Sequence, residues 1–264
     1  MSTSNGNSQP SDSPKPNGPF WSGGAADRNA LAELLYLMGS DARGADALPA
    51  VPILMRIVRE GNTLFAEGAQ AEAIYFIRAG TFKTFRTAED GYEQVLGFAG
   101  RTELVGFESI STGHYASAAV ALEDSSVYAL LLRDLLSVGK RNAGLDRTVL
   151  QAVSRAMVRR GELAGVMSAV AAEVKLARFF VHLSDFMRVA GQSALAFHLR
   201  MSRRDIASYL GVAHETISRA IAALVNLQLV SVHARDVQIR DMRGLQALCG
   251  GTRQPVHDSN ARHA

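Results

Sequence analysis

The 264-residue sequence is poor in several features, and each shortage excludes a class of protein. A single cysteine, Cys249, rules out an internal disulfide framework and any zinc or iron–sulfur site built from several cysteines. No run of about 18 apolar residues occurs, and no apolar segment follows the N-terminus, so we expect neither a membrane span nor a secretory signal. The sequence therefore indicates a cytoplasmic protein, and its 47% hydrophobic content is sufficient for a folded core.

Lysine is absent from residues 176–264, but positive charge is not. This part of the chain has 11 arginines against six acidic residues, whereas residues 1–175 have a slight acidic excess. A basic segment beside a near-neutral body is typical of a module that binds a polyanion. Ordinary surface charge is the alternative interpretation.

Composition divides the chain into parts. Residues 1–24 consist mostly of Ser, Gly, Pro and Asn, which predicts a disordered tail, and residues 251–264 are expected to form a flexible C-terminal tail. The apolar spacing from Ala25 to Gly39 predicts a helix. From about Val51 to Leu132, short apolar runs recur between glycines, which indicates a β-sandwich or barrel with a hairpin at Asp90-Gly91.

After Arg133 the apolar period becomes helical. A long helix with an apolar stripe follows the barrel, and it either pairs with a second copy or packs back on the barrel. We favour pairing, because the stripe is longer than one small barrel should cover. The predicted dimer interface consists of Val149, Val153, Ala156, Leu163 and Met167.

The segment from Leu199 to Val232 has the pattern of a helix-turn-helix. Ser202 followed by Asp205 is close to a capping box, Gly211 ends the first helix, and the second begins near His214. Two strand-like runs, Leu229–Val232 and Val237–Ile239, follow and predict a wing.

The second helix offers short and charged side chains to DNA. An arginine can bond guanine in two places, a glutamate can accept from cytosine, and neighbouring polar groups can contact phosphates. The predicted base-reading residues are Glu215, Ser218, Arg219 and His214. The predicted phosphate contacts are Ser202, Arg203, Arg204 and Thr216. A simple surface pair between Glu215 and Arg219 is the alternative, and it could coexist with base reading.

The run SRRDIASYLG followed by ETISR resembles the helix-turn-helix of the CRP/FNR transcription regulators, and IYFIRAGTFKTF, VLGF and LVGFESI resemble their roll. The resemblance covers roughly Ile53 to Leu248 and is closest to the FNR branch. It implies a symmetric dimer on a palindromic site, with Glu215, Ser218 and Arg219 reading a TTGAT half-site. It also suggests that the Ala88–Tyr92 hairpin contacts RNA polymerase, with a plain surface turn as the alternative.

The departures from the family concern its effectors. An iron–sulfur cluster of the oxygen-sensing type needs four ligands, which one cysteine cannot supply. The cAMP-binding members hold the phosphate with an Arg-Ser pair, and Ala116-Ser117 stands there, so such binding is doubtful although Glu108 is retained. His114 alone does not indicate haem. Relatives cap the recognition helix with Ser or Thr, where this chain has Ala213.

Together these features predict an α+β protein. A cyclic-nucleotide-binding-type β-roll, or jelly roll, spans residues 25–132, a dimerisation helix region spans 133–170, and a winged helix-turn-helix domain spans 171–250. We expect a dimeric regulator that binds double-stranded DNA, with no metal or catalytic site, whose roll senses an effector or contacts RNA polymerase. The alternatives are a cyclic-nucleotide- or haem-gated regulator and, more remotely, an enzyme with a jelly-roll site.

Overall fold

The computed structural model describes residues 28–37, 53–139 and 143–250, so the two predicted tails lie outside the described residues. Within the described part, a roll of eight strands is followed by two helices and a second, mostly helical domain. The roll strands are β1 (Leu54–Val58), β2 (Thr63–Phe65), β3 (Ala73–Ala79), β4 (Thr81–Thr87), β5 (Glu93–Gly100), β6 (Leu104–Val105), β7 (Ala118–Ala121) and β8 (Ser125–Leu131).

Two four-stranded antiparallel sheets form the roll. Their strand orders are β1-β8-β3-β6 and β2-β7-β4-β5, so β5 is an outer strand. The apolar side chains of the two sheets form the roll's interior, with Ile77 and Phe82 fully buried. The predicted hairpin is confirmed: Gly91 adopts a φ of 81° in its turn, and the Ala88 N–H donates to the Tyr92 carbonyl at 2.9 Å.

The helix α1 (Arg28–Leu37) packs on the outside of the roll. Its buried leucines, Leu34, Leu35 and Leu37, join a cluster with side chains of β3 and β8. Glu33 fixes the helix further, because its carboxylate accepts from the Tyr128 hydroxyl at 2.6 Å and from Arg78 Nε at 3.1 Å.

Two helices, α2 (Leu132–Gly139) and α3 (Ala143–Met167), connect the roll to the second domain. In α3, Val149 and Ala156 are buried in the cluster that α1 forms on the roll, and Val153 packs against it. These three residues of the predicted dimer stripe therefore face the chain's own roll. Packing back on the roll is the alternative that the sequence left open. Met167 is 38% exposed, and the side chain of Leu163 lies outside the described residues.

A second apolar face of α3 points away from the roll. Leu150 and Met157 are 69% and 64% exposed, and Val158 lies beside them. Helix α3 thus has two apolar faces, and periodicity alone does not tell which of them the roll covers.

The second domain begins at α4 and contains the predicted helix-turn-helix and wing. Its elements are α4 (Ala172–Val189), β9 (Ala196–His198), α5 (Arg203–Leu210), α6 (His214–Asn226), β10 (Val230–His233), β11 (Asp236–Ile239) and α7 (Met242–Cys249). The wing strands form an antiparallel sheet in the order β10-β11-β9. Phe180, Leu210, Ile217 and Leu224 form the buried centre of the domain, so α4 is one of its core helices.

Candidate nucleic-acid interface

Helix α5 begins with the capping box that the sequence predicts. The Asp205 N–H donates to Ser202 Oγ at 3.1 Å, and the Ser202 N–H donates to Asp205 Oδ2 at 2.9 Å. These bonds satisfy two of the N–H groups that a helix start leaves open. The pair therefore fixes where α5 starts and how it meets the preceding chain.

Gly211 makes the turn between the two helices. Its φ of 61° and ψ of 44° place it in the left-handed region, where glycine pays no steric penalty. Ala213 precedes α6 and makes no side-chain bond to the helix, as the sequence indicates. Helix α6 is instead held by its buried face, which consists of Ile217, Ala220, Ile221 and Leu224.

The opposite face of α6 meets solvent. His214, Glu215 and Arg219 are exposed, while Thr216 and Ser218 are half-buried. Arg219 donates from Nη2 to the Thr216 hydroxyl at 3.1 Å, and none of the ion pairs among the described residues joins it to Glu215. The Glu215 carboxylate and the outer edge of the Arg219 guanidinium are therefore both open to a ligand.

The predicted phosphate contacts flank this face. Arg203 and Arg204 are exposed at the start of α5, and Arg203 reaches α6 by donating to Ser218 Oγ at 3.4 Å. The Ser202 hydroxyl is already engaged, because it donates to Asp205 Oδ2 at 2.6 Å as well as accepting from the Asp205 N–H. Ser202 thus serves first as a helix cap.

The structure adds wing arginines that the sequence analysis did not select. Arg235 is exposed in the tight turn between β10 and β11, next to Ala234, whose φ is 53°. Arg240 is exposed after β11 and donates to Ser231 Oγ at 3.5 Å. The sequence signal for Arg235 is the polar turn between the two strand-like runs, because that turn forms the tip of the wing.

A cavity of about 640 Å³ lies between the roll, α3 and α5. Ala116 and Ser117 line it, and Ser117 Oγ donates to Glu108 Oε1 at 3.3 Å. Helix α3 contributes Arg160, whose Nη2 is 3.5 Å from Glu108 Oε2 and whose guanidinium lies 4.5 Å from the centre of the Phe107 ring. Arg86 and Arg159 also line the cavity: Arg86 donates from Nε to the Ala116 carbonyl at 2.7 Å, and Arg159 Nε lies 3.2 Å from Glu103 Oε1.

The described residues offer no assembled metal site. No group of three or more His, Cys, Asp or Glu side chains among them could hold a metal ion. His114 lies in an exposed turn outside this cavity's lining, with Nδ1 3.2 Å from the Thr112 carbonyl oxygen. None of the helices described here is long and apolar enough to cross a bilayer.

Comparison with known proteins agrees with this geometry. The family profile described as Cyclic nucleotide-binding domain matches residues 55–142, and the Crp-like helix-turn-helix domain matches residues 174–248. The solved structure of FixK2 from Bradyrhizobium japonicum superposes with a TM-score of 0.66 at 24% identity, covering 74% of this chain and 96% of FixK2. This likeness confirms the predicted fold class.

Two relatives share more of the sequence. The transcriptional activator protein Anr of Pseudomonas protegens is 32% identical over 223 residues, covering 84% of this chain and 91% of Anr. The fumarate and nitrate reduction regulatory protein of Escherichia coli K12 is 33% identical over 196 residues, covering 74% of this chain and 78% of that protein. With its helix-turn-helix, this chain is a DNA-binding transcription regulator, and it belongs to the CRP/FNR family.

Proposed function

We propose that the protein regulates transcription as a homodimer that binds a palindromic site of the form TTGAT-N4-ATCAA. The observation on which this rests is the solvent-facing side of α6, where Glu215, Ser218 and Arg219 stand in the order of the ETISR motif. Each copy would place α6 in one of two successive major grooves, with α5 crossing the backbone.

Chemistry assigns a role to each base-reading residue. Arg219 bonds O6 and N7 of the half-site guanine, and its bond to Thr216 limits the positions that its guanidinium samples. Glu215 accepts from the N4 amino group of a cytosine, and Ser218 and His214 supply shorter polar contacts. A good bidentate pair contributes about 1–3 kcal/mol to discrimination against a wrong base.

Arg203 and Arg204 contact phosphates beside α5, with Thr216 and Ser202 as weaker partners. The wing adds Arg235, which is exposed in its turn and would contact the backbone of the neighbouring groove. Contacts of this kind set the position of the domain on the duplex and give affinity that falls with salt, without reading sequence.

We infer that the dimer forms through the outer face of α3. Leu150 and Met157 are exposed seven residues apart, and the exposed Ser154 and Gly161 continue the same face. This alternating four- and three-residue spacing is that of a coiled-coil seam, and its small residues allow close approach of two helices. The other apolar face of α3, which consists of Val149, Val153 and Ala156, is already covered by the roll.

We further propose that the Ala88–Tyr92 turn, with Tyr92 47% exposed, contacts RNA polymerase. The protein would bind DNA without an iron–sulfur cluster, since it has one cysteine, and without cyclic nucleotide, since Ala116 provides no phosphate partner. Its activity would then follow its amount in the cell. Thermal unfolding with millimolar cAMP should show the same midpoint as without it, and a clear stabilisation would restore the cyclic-nucleotide alternative.

The direct test is binding of the purified protein, with nothing added, to a duplex containing TTGAT-N4-ATCAA. A scrambled duplex is measured beside it over a salt series, because affinity without the salt concentration is not interpretable. We expect tight binding to the palindrome and weaker, steeply salt-dependent binding to the scrambled duplex. Equal affinity for both would contradict the proposed site.

A further inference from the structure

The first helix of the helix-turn-helix covers the free edge of the roll. Strand β5 is the outer strand of its sheet, so its edge has backbone groups without a partner strand. Ser208 of α5 meets them: the Val95 N–H donates to Ser208 Oγ at 3.0 Å, and that hydroxyl donates to the Glu93 carbonyl at 2.8 Å. One side chain thus supplies both the acceptor and the donor that a neighbouring strand would provide.

An ion pair strengthens the same contact. Lys83 on β4 donates from Nζ to Glu93 Oε2 at 2.7 Å and to Asp205 Oδ1 at 3.0 Å. The side chains of Lys83 and Asp205 are only 12% and 17% exposed, so water weakens this pair less than it would at the surface. Asp205 also completes the capping box of α5 with Ser202, so the roll is bonded to a residue that fixes the start of the helix.

Apolar packing fills the space beneath these bonds. The Phe98 ring of β5 lies 5.3 Å from the Tyr209 ring and 6.1 Å from the Phe179 ring, centroid to centroid. Nearby, Gly100 lets α4 approach closely, because a Cβ there would lie 2.6 Å from Cζ of Phe186. The helix-turn-helix domain is therefore held to the roll by polar contacts with defined directions on an apolar base.

These contacts determine where α6 lies. Helix α5 packs on the roll with Ser208 and Asp205 and on the domain core with Ile206 and Leu210, so the direction of α6 relative to the roll depends on α5. In a dimer joined through α3, the separation of the two α6 helices depends on the same contacts. The spacing of DNA half-sites follows the separation of the recognition helices.

We propose that Lys83 and Ser208 are positioning residues that set the spacing between half-sites, although neither contacts DNA. The inference rests on the proposed dimer and its palindromic site. Burial disfavours the charge on Lys83, but its bonds to Glu93 and Asp205 prevail and raise its pKa, so the contact stays charged at neutral pH. The half-site sequence is read by α6 and is independent of these two residues.

The test compares duplexes with identical half-sites and spacers of three, four, five or six base pairs. The full-length protein is compared with the double variant Lys83→Met, Ser208→Ala. Methionine keeps most of the apolar stem without the charge, and alanine is the best helix former, so α5 itself is not weakened. Arg133→Met removes an exposed charge from α2, away from this contact, and serves as the matched control.

We expect wild type and Arg133→Met to prefer one spacer strongly. In the double variant, the ratio of affinities for the preferred and the other spacers should fall at least about tenfold, equivalent to about 1.4 kcal/mol. The double variant should still distinguish intact from altered half-sites. The conservative pair Lys83→Arg, Ser208→Thr keeps the cation and the hydroxyl and should restore the preference. Thermal unfolding identifies a folding defect, and the single variant Ser208→Ala then replaces the double one.

The outcomes separate the two proposals. If the wild type does not distinguish the palindrome from a scrambled duplex, the proposed function itself fails. If the wild type selects the palindrome but tolerates every spacer, or if the double variant keeps the wild-type spacer preference, the positioning role is overturned. Equal losses on all duplexes would also overturn it, because they indicate a general defect.

Discussion

Replacing Arg219 by alanine isolates one contact between the protein and one base. The side chain is exposed on α6, and among the described residues it is bonded to the Thr216 hydroxyl, so its removal should change the free energy of unfolding by no more than about 0.5 kcal/mol. Binding is different, because the guanidinium is expected to bond O6 and N7 of the half-site guanine. A loss of about 1–3 kcal/mol corresponds to roughly 5- to 150-fold in affinity.

A double-mutant cycle separates this contact from general effects. Fluorescence anisotropy gives the dissociation constants of wild type and Arg219→Ala on the palindrome and on a duplex whose half-site guanines are replaced by 7-deazaguanine, which lacks the N7 acceptor. The variant should be nearly indifferent to this change, while the wild type loses affinity. Arg243→Ala removes an exposed arginine from α7 in the same domain and serves as the control.

The salt dependence provides the refutation. If Arg219 contacts a phosphate instead, the variant loses affinity equally on every sequence, and the slope of log K against log salt falls by about one. That result would remove Arg219 from the base-reading residues and leave the recognition of guanine without its principal partner.

Three further predictions concern the dimer, the turn and acid stability. Met157→Glu should give monomers in sedimentation velocity, because it places a charge on the outer face of α3, whereas Ile57→Glu, at an exposed apolar residue of β1, should remain dimeric; a dimeric Met157→Glu protein would place the interface elsewhere. Gly211→Ala should lower the free energy of unfolding by about 1 kcal/mol and Tm by about 2–4 °C, since its φ is 61°; an unchanged Tm would show that the turn relaxes. Burial disfavours charge on Asp205, but hydrogen bonds from Ser202 and Lys83 prevail and hold its pKa below 3.8. Its stabilisation is therefore present above pH 3.8 and lost as the pH falls through the lower pKa of the folded state, so urea unfolding of Asp205→Asn should show weaker acid dependence than wild type; equal dependence would refute this assignment.

Local signals in the sequence were sufficient for much of the fold. The roll strands are short apolar runs between turn glycines, and the helix-turn-helix follows from Ser202, Asp205 and Gly211, whose roles depend on neighbours within a few residues. The exposed base-reading face follows from helical periodicity once the buried residues of α6 are known.

Long-range contacts were not predictable in this way. Helix α3 has two apolar faces, and only the packed structure shows that the roll covers Val149 and Ala156 and leaves Leu150 and Met157 outside. Arg160 and Glu108 are 52 positions apart in the chain, and Ser208 and Val95 of β5 are 113 positions apart. A single sequence contains no signal for contacts over such separations. Strand β9 is three residues long and forms only because β11 pairs with it.

The central claim is that two copies read two half-sites through α6. Hydroxyl-radical footprinting of the purified protein, with nothing added, on the TTGAT-N4-ATCAA duplex tests it most directly. We predict two symmetric stretches of protected backbone, one over each half-site and on the same side of the duplex, about one helical turn apart. Protection of a single half-site, or uniform protection along the duplex, would contradict the account.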